Sequence, residues 1–411
     1  MTKAPEASGQ RSETVRRANL STILNELHLH GPLSRSELVA RTGLTRSAIR
    51  GLIGELSAEG LVSEERSMPL GVPGRPSPLA RPRREGVVVL ALEIAVDSLA
   101  AAVVGLGGGV IEHVRVDRAR GHLAPERIAS DLARMARPMV SRLGSGTALV
   151  GIGVSMVGVV RVSDGVVRVA PNLGWLDVPL ADIIARRLGS AVGVSVGNEA
   201  DLGALAEHRR GAAAGVDDVL YVSGEVGVGG GVIVAGRPLT GAAGYAGEVG
   251  HMPVNPAGSR CRCGSSGCWE TEVGERALLR RAGRSPSGGR AAVDTVFEAA
   301  AAGSRREREA LATTGRWLGR GMGGLVNAFN PSLVVLGGLF GRMHPYVGAE
   351  IAGALKRHAL GATREGLRVA PAALGPDAPL LGAAEMAFEA LLLDPAAYVA
   401  ARPALSQVAG A

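Results

Sequence analysis

The sequence has few cysteines and aromatic residues and no long apolar run. Of its 411 residues only three are cysteines, and aromatic residues make up 3%. No segment reaches the roughly 18–20 uninterrupted apolar residues that a membrane-spanning helix needs, and residues 1–13 lack the apolar stretch of a secretory signal peptide. We therefore expect a cytoplasmic protein without membrane contact. An odd number of cysteines in such a protein argues against a disulfide framework.

The three cysteines lie together, as Cys261, Cys263 and Cys268, and His251 stands ten positions before the first of them. Three thiolates and one imidazole make a complete tetrahedral set for zinc. The glycines between the cysteines would let the loop fold back so that all three sulfurs face one point. The alternative is a group of buried or disulfide-paired thiols. Because no ligand position is left for an activated water, the pattern predicts one structural Zn²⁺ per chain.

Residues 14–85 are predicted to form a winged helix-turn-helix domain. Apolar residues recur at helical spacing from Val15 onward, after a disordered lead-in over residues 1–13. Ser34 and Glu37 have the spacing of a capping box, which predicts the start of a second helix. Three short helices joined by tight turns are typical of this module.

The third helix is expected to contact DNA. Thr45 is its predicted cap, and the recognition helix of such a module enters the major groove by its N-terminal end. Arg46 and Arg50 are four positions apart and share a face. Arginine bonds guanine through two hydrogen bonds, and Ser47 or Thr45 can contact a base or a phosphate. The alternative is a helical protein-interaction module with solvated arginines.

A wing is predicted after the third helix. Residues 61–66 would form a strand, residues 69–78 the wing tip and residues 79–81 the return strand. Arg75 lies in a Gly-Arg-Pro segment of the tip, which would place a guanidinium in a narrow minor groove. Residues 82–86 are predicted to be a linker, since the composition changes sharply after them.

The remainder is predicted to be an α/β body of two lobes. An apolar strand–turn–strand unit over residues 87–106 recurs over residues 219–235, which suggests an internal duplication with a cleft between the halves. The predicted division is a first lobe over 86–196, a second lobe over 197–384 that carries the zinc loop, and a C-terminal helix at about 385–400 that packs on the first lobe.

Several motifs of the body together resemble the ROK family, which contains bacterial sugar kinases and sugar-responsive transcription repressors. The most specific is Gly247-Glu248-Val249-Gly250-His251, followed by the cysteine cluster and Glu270. Supporting segments are 170–175, 197–200, the glycine loop 224–231 and 330–338. The resemblance implies an actin-like, sugar-kinase-like body, and the winged helix in front of it resembles the regulator branch of the family.

The resemblance also implies a sugar site beside the zinc loop. Carboxylates are the strongest hydrogen-bond acceptors for hydroxyl groups, and a metal-bound histidine has a second ring nitrogen to offer. The alternative for the glutamates is solvated loop charge. The residues expected to contact the sugar are Asn172, Asn198, Glu199, Glu248, His251 and Glu270.

The phosphate-binding motifs of the family's kinases are altered here. The first phosphate loop has Ala95 and Asp97 in place of glycine and threonine, and the second has Glu225 beside its glycines. Asp97 and Glu225 would place negative charge near the phosphate oxygens and repel a triphosphate. Glu199 stands where the kinases have a catalytic aspartate, and a base displaced by roughly 1 Å can lose about two orders of magnitude in rate. We therefore expect sugar binding without phosphoryl transfer, and no catalytic residue.

These observations predict a sugar-responsive transcriptional repressor of carbohydrate uptake or catabolism genes. Its expected partners are double-stranded operator DNA and a sugar or sugar derivative. Because one helix-turn-helix buries little surface, a homodimer or homotetramer is expected. Two alternatives stay open: an active sugar kinase with an accessory DNA-binding module, and a regulator that senses a protein partner.

Overall fold

The computed structural model describes residues 6–65 and 78–398 of the chain. It begins with three helices and three short strands. These elements are α1 (Glu6–His30), β1 (Leu33–Ser34), α2 (Arg35–Thr42), α3 (Arg46–Ala58), β2 (Val62–Glu65) and β3 (Leu79–Pro82). The strands form an antiparallel sheet in the order β1-β3-β2, so the unit is a winged helix.

Side-chain caps begin two of these helices as the sequence predicts. Glu37 N donates to Ser34 Oγ at 3.2 Å and Ser34 N donates to the Glu37 carboxylate at 2.7 Å, which completes the capping box. Thr45 Oγ1 accepts from Ala48 N at 3.3 Å at the start of α3. Each such cap stabilises a helix by about 1 kcal/mol. Together they fix the turn that presents α3.

The first helix is longer than predicted. The sequence predicts a disordered lead-in over residues 1–13, and that prediction is wrong for residues 6–13, because α1 begins at Glu6. Glu13 already pairs with Arg16 and Arg17 one turn later. Such pairs at i,i+3 and i,i+4 spacing support a helix that extends beyond its packed face.

The predicted linker at 82–86 is a tight turn. Arg83 N donates to Leu61 O at 2.9 Å, and Gly86 N donates to Arg83 O at 3.0 Å. A Cβ at Gly86 would lie 2.4 Å from Gly60 O, so the two backbones touch. The winged helix is therefore joined to the body by an ordered connection. Residues 69–77 of the predicted wing tip, Arg75 among them, lie outside the described residues.

The body consists of two lobes, each built on a five-stranded sheet. The first lobe contains β4 (Val87–Ile94), β5 (Ser98–Gly105), β6 (Val110–Asp117), α4 (Pro125–Ser141), β7 (Ala148–Met156), β8 (Val159–Arg161), β9 (Val166–Ala170), β10 (Trp175–Pro179), α5 (Leu180–Leu188) and β11 (Val194–Asn198). The second contains α6 (Glu199–Arg210), β12 (Val219–Gly224), β13 (Val228–Val234), β14 (Arg237–Pro238), α7 (Trp269–Val273), α8 (Glu275–Arg281), α9 (Gly289–Ala301), α10 (Arg305–Phe329), β15 (Leu333–Gly337), α11 (Gly338–His358) and β16 (Arg368–Pro371). The last helix is α12 (Ala378–Leu393).

The two sheets have the same topology. Their strand orders are β11-β7-β4-β5-β6 and β14-β13-β12-β15-β16, the second being the first read from the other edge. In each, the first strand pairs antiparallel with the second and parallel with a later one. A three-stranded sheet, β10-β9-β8, flanks the first lobe. The α/β class and the predicted duplication are both confirmed.

The predicted glycine loop over 224–231 is mostly a strand. Gly229 and Gly231 lie inside β13, where Cβ atoms would approach the Cβ atoms of Ala200 and Ala204 on α6 at 2.7 and 2.6 Å. The turn itself covers only the residues between β12 and β13. These glycines are therefore required by the close packing of α6 on the sheet, a long-range cause that local glycine content does not reveal.

The C-terminal helix lies at Ala378–Leu393 rather than 385–400. It packs against β4 and β7 of the first lobe, as predicted, and also against α6 and α1. Apolar residues of α1, such as Leu24 and Leu27, join Phe388 and Leu391 of α12 in one buried cluster. The winged helix thus shares a core with the body. Within the described residues, no helix is long and apolar enough to cross a membrane.

Candidate functional site

One cleft between the lobes gathers the residues predicted to bind a sugar. Its volume is about 610 Å³, within the range of roughly 300–1,000 Å³ for small-molecule sites. All six predicted residues line it, together with two of the cysteines: Asn172, Asn198, Glu199, Glu248, His251, Glu270, Cys261 and Cys263. The sequence motifs that carry these residues therefore converge in space.

Asn198 caps α6 at the floor of the cleft. Its Oδ1 accepts from Ala200 N at 2.7 Å, and its Nδ2 donates to Gly158 O at 2.9 Å. One amide hydrogen remains for a ligand. Asn198 therefore holds the helix and the first lobe together as well as facing the cleft, so its replacement would perturb both.

Glu199 follows in the first turn of α6. Desolvation by the surrounding protein, and then the negative charges of Glu225 and Glu93, raise its pKa to about 8. Burial likewise raises the pKa of Glu225 to about 7. Water reaches both carboxyl groups through the cleft, yet each is held among other acids. With a pKa of about 8, Glu199 is largely protonated at neutral pH and can donate a hydrogen bond, whereas Glu225, with a pKa of about 7, is protonated about half of the time.

His251 connects the zinc loop to the cleft. Its Nδ1 lies 3.7 Å from Cys261 Sγ, and its Nε2 lies 3.9 Å from a carboxylate oxygen of Glu248. One ring nitrogen thus faces the sulfur cluster and the other faces a carboxylate, as in carboxylate–histidine–metal arrangements. Burial raises the pKa of Glu248, an effect that His251 partly offsets.

The four predicted zinc ligands form a cluster. Their ligand atoms all lie within 4.8 Å of one another, and Cys263 Sγ lies 3.6 Å from Cys268 Sγ. Zinc–sulfur bonds of about 2.3 Å in a tetrahedron would separate ligands by about 3.8 Å, so the donor set fits this metal. The loop can turn because Gly264 and Gly267 adopt φ values of 97° and 68°.

Glu270 and Asn172 reach the cleft from opposite lobes. Val228 N donates to Glu270 Oε2 at 3.2 Å, which holds the carboxylate beside the turn between β12 and β13. Asn172 Oδ1 accepts from Arg262 at 2.7 Å, so a side chain of the cysteine loop bridges to the first lobe. Sequence reasoning missed Arg262. Its position between two predicted metal ligands, Cys261 and Cys263, is the feature that could have suggested it.

The part of the cleft lined by the altered phosphate loops, which we call the phosphate half, contains Ala95, Asp97 and Glu225. It differs from expectation at Asp97. The sequence predicts an unbalanced negative charge there, but Arg120 and Arg290 both bond Asp97 at 3.0 Å. Arg120 also bonds Glu275 of the second lobe at 2.6 Å. These pairs neutralise Asp97 and tie the two lobes together. Repulsion of a triphosphate by Asp97 is therefore not the obstacle that the sequence suggests.

The predicted DNA-contacting residues form an exposed face of the winged helix. Thr45, Arg46, Ser47 and Arg50 are all exposed. Among the winged-helix side chains described, at 13–65 and 78–82, the other arginines pair with carboxylates, and Arg46 and Arg50 have no recorded partner. The paired arginines are Arg16, Arg17, Arg35, Arg41 and Arg81. The free positive charge is thus concentrated on the start of α3.

Two exposed glycines lie on the same helix. Gly51 and Gly54 have helical conformation, and a Cβ at either would meet no atom within 4 Å. A glycine inside a helix costs about 1 kcal/mol relative to alanine, and nothing within the described residues requires it here. Sequence reasoning missed Gly51 and Gly54. The signal that could have found them is the presence of two glycines inside a predicted amphipathic helix.

A winged helix with a free arginine face, joined to a two-lobed body with a polar cleft, defines a DNA-binding regulator with a small-molecule domain. The chain belongs to the ROK family, whose profile matches residues 89–390. The MarR family profile matches residues 21–67, across the winged helix. The chain is thus a ROK-family transcriptional regulator.

Known proteins similar to this chain fall into two groups. The xylose repressor of Bacillus spizizenii is 28% identical over 92% of this chain and 97% of its own length. A ROK-family transcriptional regulator described as a homologue of the E. coli MLC protein has the same fold, with a TM-score of 0.74, 23% identity and coverage of 96% and 100% of the two chains. A ROK-family glucokinase from Streptomyces griseus, solved with glucose and AMPPNP, matches with a TM-score of 0.63, 29% identity and coverage of 73% and 99%.

Proposed function

We propose that this protein is a repressor that binds operator DNA and responds to a sugar. The observation that carries the proposal is the combination in one chain of an arginine-bearing recognition helix and a cleft lined with carboxylates, an amide and a histidine. The similar full-length relatives are named xylose repressors. D-xylose is accordingly the first sugar to test, and genes of sugar uptake or catabolism are the targets that this function implies.

In this proposal the sugar hydroxyls form hydrogen bonds with residues on both sides of the cleft. Glu248, Glu270 and His251 bind them from the second lobe. Asn172 binds them from the first lobe, and Asn198 from the floor of the cleft. Carboxylates accept two hydroxyls each, and a largely protonated Glu199 donates to a hydroxyl oxygen. Bonds from both lobes favour a closed cleft when the sugar is present.

A structural zinc ion fits the proposed role of the loop. Cys261, Cys263, Cys268 and His251 would hold it, leaving no position for a reactive water. The metal would fix the ring orientation of His251 and, through the loop, the position of Glu270. Its contribution is to order the sugar-contacting residues, because metal binding and local folding are coupled.

We propose further that the cleft does not transfer phosphoryl groups. Glu199 stands where the family's kinases have an aspartate, and a base displaced by roughly 1 Å can lose about two orders of magnitude in rate. Arg115 bonds Glu93 at 3.0 Å and Asp377 at 2.9 Å, and Arg120 and Arg290 hold Asp97. The charged groups in the phosphate half of the cleft thus form ion pairs with each other, and their arginines are not free to bind phosphate groups. This arrangement favours a binding domain over a kinase.

DNA recognition in this proposal uses Arg46 and Arg50 for base edges and Thr45 and Ser47 for phosphates or bases, with Arg75 of the wing as a further contact. Bidentate arginine–guanine pairs discriminate by about 1–3 kcal/mol each. Since one recognition helix reads only a half-site, the functional form is a homodimer or homotetramer on paired half-sites.

The test of the sugar site uses calorimetric titration of the purified protein with D-xylose and D-glucose. Wild type should bind at least one of them, and Glu248→Gln should weaken that binding about tenfold or more, since a charge-assisted bond contributes roughly 1.5–3 kcal/mol. Glu298→Gln, an exposed glutamate on α9 away from the cleft, is the matched control and should bind like wild type. Equal binding by all three proteins would place the ligand elsewhere.

A further inference from the structure

A buried ionic network joins the winged helix to the body. His28, near the end of α1, is fully buried, and its Nε2 lies 3.0 Å from a carboxylate oxygen of Glu385 on α12. Gly107 N donates to His28 Nδ1 at 3.0 Å. The other ring nitrogen, Nε2, lies between Glu385 and Arg210, whose Nη2 is 2.7 Å away. The imidazole thus connects α1 with both the first lobe and α12.

The last turn of α6 completes this network. Arg209 donates to Glu385 Oε2 at 2.9 Å, and Arg210 bonds the other carboxylate oxygen. Arg210 also donates to Gly107 O at 2.9 Å and to His28 O at 3.2 Å. Glu385 is 1% exposed, and these partners hold its pKa well below the ordinary range despite its burial. Both guanidinium groups are thus tied to α12, and that of Arg210 is also tied directly to α1.

The opposite end of α6 lies at the sugar cleft. The helix runs from Glu199 to Arg210, a length of about 18 Å at 1.5 Å per residue. Its first turn contains Glu199 and is capped by Asn198, which faces the cleft. One short helix thus begins at the proposed effector site and ends on the DNA-binding unit.

Tight packing makes α6 and α12 move as one body. A Cβ at Gly382 of α12 would lie 1.9 Å from Leu202 O, so the two backbones are in direct contact. On its other side α6 lies on β13, where a Cβ at Gly231 would lie 2.8 Å from Ala200 O. Close-packed elements of this kind transmit displacement because they do not compress.

We propose that α6 carries the state of the cleft to the winged helix through Arg210, Glu385 and His28. The inference rests on the proposed function, since it supplies the regulation of that site. Lobe closure on a sugar shifts the first turn of α6, and the rigid helix shifts Arg209 and Arg210 with it. Because α12 moves with α6, Arg210 and Glu385 stay paired while their bonds to His28 on α1 lose their geometry. Buried polar groups that lose a partner keep their desolvation cost, so the docked position of α1 becomes unfavourable and the recognition helices move.

The test measures coupling separately from binding. The DNA probe is a duplex of about three helical turns, selected by wild-type protein from a random library, and the sugar probe is whichever of D-xylose and D-glucose wild type binds more tightly. DNA affinity is measured with and without saturating sugar in wild type, in Arg210→Lys and in Asp394→Asn. Lysine keeps the charge of Arg210 but loses its forked bonds. Asp394 bonds Arg17 at 3.3 Å at a solvent-exposed edge of the same interface, which makes its variant the matched control.

Wild type and Asp394→Asn should show the same sugar effect on DNA affinity, in the range of about 5- to 150-fold that is typical of coupled sites. Arg210→Lys should still bind the sugar alone and the DNA alone within a few-fold of wild type, but its coupling should fall towards unity. Undiminished coupling in Arg210→Lys would overturn the inference and leave the proposed function intact. No effect of either sugar on DNA binding by wild type would remove the proposed function and the inference with it.

Hydrogen exchange of wild-type protein gives a second readout that needs no variant. The Gly107 amide, which bonds His28, should exchange faster when the sugar is bound, as should amides in the last turns of α1. If the sugar protects the cleft but leaves Gly107 and α1 unchanged, the network is not the connection.

Discussion

Gly51→Ala should make the protein more stable and a poorer DNA binder. The added methyl group projects from the exposed face of α3 into open space, with no atom within 4 Å of the Cβ position. Replacing a helix-interior glycine by alanine gains about 0.8–1.0 kcal/mol. If α3 lies in the major groove, the same methyl group separates the helix from the DNA. A loss of about 1.4 kcal/mol of contact energy would weaken binding tenfold.

Guanidinium unfolding and fluorescence anisotropy on the selected duplex measure the two effects. Gly324→Ala is the matched control, because Gly324 is also exposed within a helix, α10, and also has no atom within 4 Å of its Cβ position. It should gain similar stability without losing DNA affinity. DNA binding by Gly51→Ala equal to that of Gly324→Ala, at the same salt concentration, would refute the assignment of this face of α3 to DNA.

Three further outcomes are expected. Metal analysis of the purified protein should find one zinc per chain, and Cys263→Ser should lose it and show faster hydrogen exchange in the loop; wild type without zinc would remove the metal site. No sugar-dependent ATP consumption should occur, and consumption that Glu199→Gln abolishes would mean an active kinase. Acid should undock the winged helix. Burial lowers the pKa of His28 below its ordinary value of 6.5. The positive charges of Arg209 and Arg210 lower this pKa further, whereas Glu385 raises it. When the winged helix is undocked, His28 is exposed to solvent and is protonated at a higher pH than when it is buried. Docking is therefore complete above about pH 6.5 and weakens below it. Exchange at Gly107 should rise over that range in wild type, and a flat profile would contradict it.

The sequence predicted features that depend on neighbouring residues. The Ser34–Glu37 capping box and the Thr45 cap act over three residues, and the three cysteines that cluster with His251 lie within eight positions of one another. The duplicated strand–turn–strand unit was visible because both copies are continuous apolar runs. In each case the physical cause lies within a few positions of the residue that shows it.

Features set by distant contacts were not predictable. The glycines of β13 suggest a loop in the sequence. In the structure they belong to a strand, and they are required because α6 packs closely on it. Asp97 suggests free negative charge, because its partners Arg120 and Arg290 are 23 and 193 positions away. The bond between His28 and Glu385 spans 357 positions, and neither residue has a local pattern that indicates a connection between the DNA-binding unit and the body.

The central claim is that one chain binds DNA and a sugar and that each changes the affinity for the other. The most direct measurement is calorimetric titration of wild-type protein with its preferred sugar, once alone and once saturated with the selected duplex, beside the DNA affinity with and without sugar. Linkage requires the two ratios to be equal. The account predicts weaker sugar binding in the DNA complex by the same factor, about fivefold or more, by which the sugar weakens DNA binding. Sugar affinity that is identical in the presence and absence of DNA would contradict it.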